Sequence, residues 1–207
     1  MGVSVSLTYN NRTGTGQAIT LNGTTTNTGL GELNLNYLGS GQIIINKAIN
    51  STSTGKINVI AQTNFATNTL TTCTAGACAS IYNSSTGSII TKGGYVVLDA
   101  TGGSISGTTI TQGSILNGPI YLNAAINTTT AGGSGSGAGG HFSLAGSTNL
   151  ASGIGSFEPN VAALNIGGNA NFQLKNNSTA SYGFVVASYL TTSPITSYGD
   201  LNITSSG

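Results

Sequence analysis

Two cysteines offer the most specific chemical signal in the chain. Cys73 and Cys78 stand in Thr72-Cys73-Thr74-Ala75-Gly76-Ala77-Cys78, with four residues between them and a glycine where the chain must turn. That gap suits a small disulfide-closed loop, with two free thiols as the alternative. A zinc site would need further imidazole or thiolate ligands, and the chain holds one histidine. A disulfide points to an oxidising, extracellular compartment.

The histidine, His141, follows the glycine-rich run 131–140. A Ser-His-Asp arrangement needs a nucleophile fixed beside its base, and serines are so abundant here that their presence selects none. His141 is read as a half-exposed strand residue. Glu32, Asp99, Glu158 and Asp200 are the acids. Glycoside chemistry gathers two carboxylates at one site and tunes one as the acid. These four are far apart in sequence, without flanking arginines or an aromatic cluster. Gly135-Ser136-Gly137-Ala138-Gly139-Gly140 matches Gly-x-Gly-x-x-Gly, but that motif works only between a strand and a helix N-terminus. The sequel Phe142-Ser143-Leu144 reads as strand, so the run is a loop. No catalytic residue, cofactor site or metal site is expected.

Asn-x-Ser/Thr sequons occur at Asn11, Asn22, Asn50, Asn83, Asn127, Asn176, Asn177 and Asn202. A chain so rich in Asn, Ser and Thr generates several by composition alone. Thr24-Thr25-Thr26 and Thr128-Thr129-Thr130 raise ice binding, which requires a regular Thr-x-Thr in every repeat; these clusters are irregular and fall at turns. Polysaccharide binding is the other minor alternative.

The scaffold for these residues is unusual in charge. The 207 residues include five Lys plus Arg and four Asp plus Glu, giving a net charge of +1. A typical soluble domain devotes about a quarter of its residues to charge. Arg12, Lys47, Lys56, Lys92 and Lys175 are scattered singly, so no basic patch for nucleic acid or anionic lipid exists. No apolar run approaches the roughly 18 residues of a spanning helix, and membrane insertion is not expected. The opening Met1-Gly2-Val3-Ser4-Val5 lacks the basic flank and apolar stretch of a signal peptide. The chain reads as a single domain over 1–207, as a segment of a longer extracellular protein or a stackable fibre subunit.

Short β-branched runs recur between Gly, Asn, Ser and Thr breakers. Strands are expected at 3–7, 18–21, 33–37, 42–46, 57–61, 88–91, 95–99, 120–123, 141–144, 164–166, 171–174, 184–188 and 201–204. No segment carries helical periodicity over three turns. The runs also resemble one another. Gly41-Gln42-Ile43-Ile44-Ile45-Asn46-Lys47-Ala48-Ile49-Asn50 aligns with Gly118-Pro119-Ile120-Tyr121-Leu122-Asn123-Ala124-Ala125-Ile126-Asn127. A strand after glycine follows each, Gly55-Lys56-Ile57-Asn58-Val59-Ile60 and Gly140-His141-Phe142-Ser143-Leu144. Imperfect strand–corner–strand repeats predict an all-β fold, a right-handed parallel β-helix (β-solenoid), with nine to eleven coils at about 20 residues each. An antiparallel sandwich is the alternative. The solenoid explains the missing charge: equivalent positions lie about 4.8 Å apart, where like charges repel and Asn, Thr and Ser pair with their own kind.

Gly-Gln-Ile-Ile-Ile-Asn-Lys-Ala-Ile-Asn at 41–50, Gly-Lys-Ile-Asn-Val-Ile-Ala at 55–61, Gly93-Gly94-Tyr95-Val96-Val97-Leu98-Asp99-Ala100 and Gly167-Gly168-Asn169-Ala170-Asn171-Phe172-Gln173-Leu174 resemble repeats of filamentous-haemagglutinin-type exoproteins. These are adhesins exported by two-partner secretion in Gram-negative bacteria. The resemblance covers most of 30–204 and is one of texture and period. The Asn-Pro-Asn motifs of the family's secretion domain are missing, with Glu158-Pro159-Asn160-Val161 a faint echo, so the chain resembles passenger shaft. The resemblance implies cell adhesion, an extracellular or cell-surface location, sugar on some sequons, and a surface glycan or protein on a host or neighbouring cell as partner. Recognition is expected in loops leaving the coil, chiefly 64–85 and 128–140. Head-to-tail stacking into a surface filament is the leading alternative.

Overall fold

The computed structural model describes residues 5–52, 54–62, 80–107, 109–113, 118–130, 139–148, 157–158, 163–176 and 195–206. Among them every regular element is a strand. The first pass of the chain forms β1 (Val5–Leu21) and β2 (Thr25–Asn27). The second forms β3 (Leu33–Ile45) and β4 (Ile49–Ser51). The third forms β5 (Ile57–Gln62), β6 (Ile81–Asn83) and β7 (Ile89–Ile90). The fourth has β8 (Val96–Asp99), β9 (Ser104–Ser106), β10 (Thr109–Thr111), β11 (Ile120–Leu122) and β12 (Ile126–Asn127). The fifth has β13 (Phe142–Thr148), β14 (Phe157–Glu158) and β15 (Leu164–Ile166). Then come β16 (Ala170–Asn176), β17 (Ile195–Ser197) and β18 (Leu201–Ser206).

Successive passes pair in parallel and in register. One ladder runs β1, β3, β5, β8, β13, β16, β18, and a second leaves the far half of β3 through β6, β11 and β14. A third runs β2, β4, β7, β12, β15, β17. The antiparallel alternative does not describe this arrangement: among the described residues such pairing is confined to the β9–β10 hairpin and two isolated bridges. The sequence repeat fits the columns but skipped a rung. Ile43 and Ile120 both pair with Ile81, and Ile49 and Ile126 both pair with Ile89.

Two expectations are corrected. Paired residues are 24 apart in sequence at Leu33 and Ile57 but 46 apart at Val96 and Phe142, so the described ladders hold fewer rungs than the nine to eleven expected. The reason is that chain is inserted between paired strands without adding a rung to the ladder, as the β9–β10 hairpin is between β8 and β11. The stretch 64–85 is also not all loop, because Ile81–Asn83 forms β6 inside a ladder.

The pleat sends alternate side chains to opposite faces. Leu33, Leu35 and Tyr37 are buried while Asn34 and Asn36 lie half-exposed between them. Inward residues of all three ladders belong to one hydrophobic cluster that includes Ile43, Ile49, Ile57, Ile89, Leu98 and Leu164. Each fully buried side chain of this size contributes roughly 1.5–3 kcal/mol relative to exposure. Aromatics fill the later rungs, with Phe172 5.6 Å from Phe142 and 5.5 Å from Phe157 between ring centroids.

Corners are fixed by glycines and hydroxyls. Gly94 follows Gly55 and Gly140 follows Gly94 at the turn before each first-ladder strand, with backbones so close that a Cβ would overlap the carbonyl below. Buried Thr91 donates from Oγ1 to the Gly94 carbonyl at 2.7 Å, and Thr128 does the same to Gly140 at 2.6 Å. Neutral side chains therefore take up the backbone groups that corners leave unpaired.

Candidate binding surface

The outward face of the first ladder changes character along its length. Positions equivalent to Asn34 and Asn58 become Val97, Ser143, Asn171 and Asn202 in successive strands. The β9–β10 hairpin covers the apolar part of this face. Ile105 and Ile110 from the hairpin pack against Val97 and Ala145.

Asp99 anchors the base of that hairpin. Its Oδ1 accepts from the Thr101 N–H at 2.8 Å and the Thr101 hydroxyl at 2.6 Å, and its Oδ2 accepts from the Gly103 N–H at 3.0 Å. Thr101 Oγ1 in turn accepts from the Gly113 N–H at 3.0 Å, joining the start of the excursion to its end. Burial pushes the Asp99 carboxyl above its ordinary range, opposed by the hydrogen bonds from Thr101 and Gly103. Asn127 makes the same local turn without charge, its Oδ1 accepting from the Thr129 N–H at 3.0 Å and hydroxyl at 2.8 Å.

Beyond the hairpin the sheet face is polar, and a groove of about 200 Å³ opens there, lined by Thr109, Asn171, Phe172, Gln173, Asn202 and Thr204. Asn202 Nδ2 donates to Asn171 Oδ1 at 3.0 Å, and Gln173 Nε2 donates to the Ile110 carbonyl at 2.9 Å. The first bond orients two amides of the floor. The second ties the floor to the hairpin wall.

Cys73, Cys78 and Asn177 lie outside the described residues, as do most of the 128–140 loop and the expected strand 184–188. The sequon asparagines differ in access. Asn22 and Asn202 are exposed and Asn50 half-buried, while Asn11 and Asn176 are placed by their backbone alone, in β1 and β16. Asn127 is buried in its turn, and Asn83 is fully buried with both amide ends engaged. His141 Nδ1 accepts from the Asn169 N–H at 2.7 Å, and its ring lies 5.1 Å from Tyr95. Glu32 approaches Lys56 at 4.0 Å, with the Lys56 side chain half-buried and the Glu32 side chain open to solvent, a long contact of small energetic weight. Among the described residues no three His, Cys, Asp or Glu side chains gather as a metal site would require, and no helix is long and apolar enough to cross a membrane.

The sequence reading missed the hairpin and the groove. The alternation Ser104-Ile105-Ser106 and Thr109-Ile110-Thr111 about Gly107 is a period-2 hairpin signal, and it marks the hairpin alone. No protein-family model, curated protein or solved structure matches the chain.

Proposed function

We propose that the chain is a right-handed parallel β-helix serving as an extracellular adhesin shaft, with a mechanical and adhesive role and no catalysis. Right-handed crossovers are the strong rule for parallel strands joined within one sheet system. The observation that carries the reading is the self-pairing of neutral side chains from rung to rung. Asn58 Nδ2 donates to Asn34 Oδ1 at 2.6 Å, Asn46 to Asn22 at 2.9 Å and Asn202 to Asn171 at 3.0 Å. Such ladders stiffen a rod through neighbour contacts and need no ionised surface. The partner in this reading is a glycan or protein on a host or neighbouring cell.

A second reading, a filament subunit stacking head to tail, is favoured by one feature. Rungs join by in-register parallel pairing, as β16 joins β18, and the same pairing can join a rung of one copy to a rung of the next. Electron microscopy of the purified chain, with cell binding by chain-coated beads, separates the two. Short dispersed rods on beads that adhere support the shaft. Micrometre fibres support the filament, and non-adherent beads with compact particles overturn both.

A further inference from the structure

We propose that the groove between β10 and the outward faces of β16 and β18 binds one ring of a neutral, hydroxyl-rich saccharide. This rests on the adhesive reading and gives it a location. Of the six lining residues Phe172 is buried beneath the floor, and the other five, Thr109, Asn171, Gln173, Asn202 and Thr204, carry amides and hydroxyls and no ionisable group. Lys175, further along β16, is outside the lining and has a partner of its own. An anion would find no counter-charge here, and an apolar ligand would strand polar groups without partners.

The groups left free by the internal bonds define what fits. Asn202 spends one N–H on Asn171 Oδ1, and Gln173 spends one on the Ile110 carbonyl. That leaves the Asn171 amino group, the second N–H and the carbonyl oxygen of both Asn202 and Gln173, and the hydroxyls of Thr109 and Thr204. The set mixes donors and acceptors on two adjacent rungs. A sugar hydroxyl both donates and accepts, so vicinal hydroxyls pair with such a mixture, whereas a ligand of donors or acceptors alone does not.

Size and rigidity point the same way. The volume of about 200 Å³ falls below the roughly 300–1,000 Å³ of drug-sized pockets, which limits the occupant to one ring with the rest of the glycan outside. Floor amides sit on paired strands and are oriented by their own hydrogen bonds, so little ordering is needed on binding. With no exposed aromatic face in the floor, single-site affinity is weak, and useful adhesion comes from many copies engaging at once.

The test is a glycan array carrying neutral, sialylated and sulfated oligosaccharides, probed with the chain displayed on fluorescent beads. Neutral glycans should be retained. Asn202→Ala and Thr204→Val, on the exposed edge strand, should each lower the half-saturating density response about tenfold, the factor expected for losing one well-made polar contact. Thr196→Val, exposed on the third ladder, should change nothing. Circular dichroism melts of Thr204→Val and Thr196→Val should coincide with the parent, with Asn202→Ala slightly lower because it also gives up the bond to Asn171. Retention of charged glycans alone, no retention at all, or neutral binding that survives both groove substitutions overturns the assignment. Beads that still adhere to cells in those cases leave the adhesive reading standing without this site.

Discussion

Gly94 lies directly over Gly55 at the corner that leads into the first ladder, and a β-carbon on Gly94 would overlap the Gly55 carbonyl oxygen. The clash is with backbone, so no side chain can rotate away to relieve it. Gly94→Ala should therefore push two rungs apart and destabilise the fold by about 1–3 kcal/mol, the range of overpacking in a dense interior. Gly23 has no atom within 4 Å of its ideal Cβ position, and Gly23→Ala should leave the melt unchanged or slightly higher. Thermal unfolding of the two variants side by side checks this.

Asn83 replaces an aliphatic residue in a buried column, between Ile45 and Leu122. Its Oδ1 accepts from the Asn123 N–H at 2.5 Å and the Ala124 N–H at 3.3 Å, and its Nδ2 donates to the Gly87 and Ala124 carbonyls, both at 3.1 Å. Asn83→Leu restores the column but leaves those backbone groups buried without this partner. The expected loss is about 2–4 kcal/mol, from two or more stranded polar groups. Denaturant titration should show it, with Asn22→Leu close to neutral. For the same reason any glycosylated preparation should carry sugar at Asn22 or Asn202 rather than Asn83, as peptide mass spectrometry would report.

Rung 81–83 was hard to see in the sequence because of this asparagine. Ile43-Ile44-Ile45 and Ile120-Tyr121-Leu122 share an apolar pattern, whereas Ile81-Tyr82-Asn83 breaks it at the third position. Stacking of Tyr82 on Tyr121, with centroids 5.9 Å apart, marks the same kinship on the outer face. Parallel pairing, the shared core and the corner glycines were all legible, since each repeats as a local pattern. Rung length was not, because stretches of varied length separate successive paired strands and only the pairing shows which strands are neighbours. The groove needed both facts at once: that Asn202 stacks on Asn171, and that a hairpin from a distant rung stops beside them.

Asp99 makes stability depend on pH with an unusual sign for a carboxylate. Burial holds its folded-state value above the ordinary carboxylate range, so the native state binds the proton more tightly than the unfolded chain. Its contribution is fully present below the unfolded value and is lost as pH rises through the raised folded value. Asp99→Asn keeps the oxygen that accepts from Thr101 and removes the charge, at the cost of the Oδ2 contact to Gly103. The difference in unfolding free energy between parent and variant should shift in favour of the variant as pH rises from about 3 to neutrality, bracketing the unfolded carboxylate range. Denaturant curves at several pH values measure it, and a constant difference would remove the burial argument.

The scarcity of charge can be tested by putting charge back. Asn46 Nδ2 donates to Asn22 Oδ1 on the preceding rung at 2.9 Å, with Asn22 exposed and Asn46 half-buried. Asn22→Asp alone places an acceptor opposite the Asn46 donor and should be tolerated. Asn46→Asp alone removes the donor, and once the exposed Asn22 amide turns its Nδ2 toward the new carboxylate no like-charge repulsion arises. The double variant sets two carboxylates one rung apart, where Coulomb repulsion is roughly 1 kcal/mol in water and up to about 4 kcal/mol at the screening typical of a protein surface. A double-mutant cycle should therefore yield an unfavourable coupling of about 1–3 kcal/mol at neutral pH. It should shrink below about pH 3, where carboxylates protonate, and weaken with added salt. Strictly additive single effects at neutral pH would mean that rung spacing does not exclude charge, and the neutral composition would need another cause.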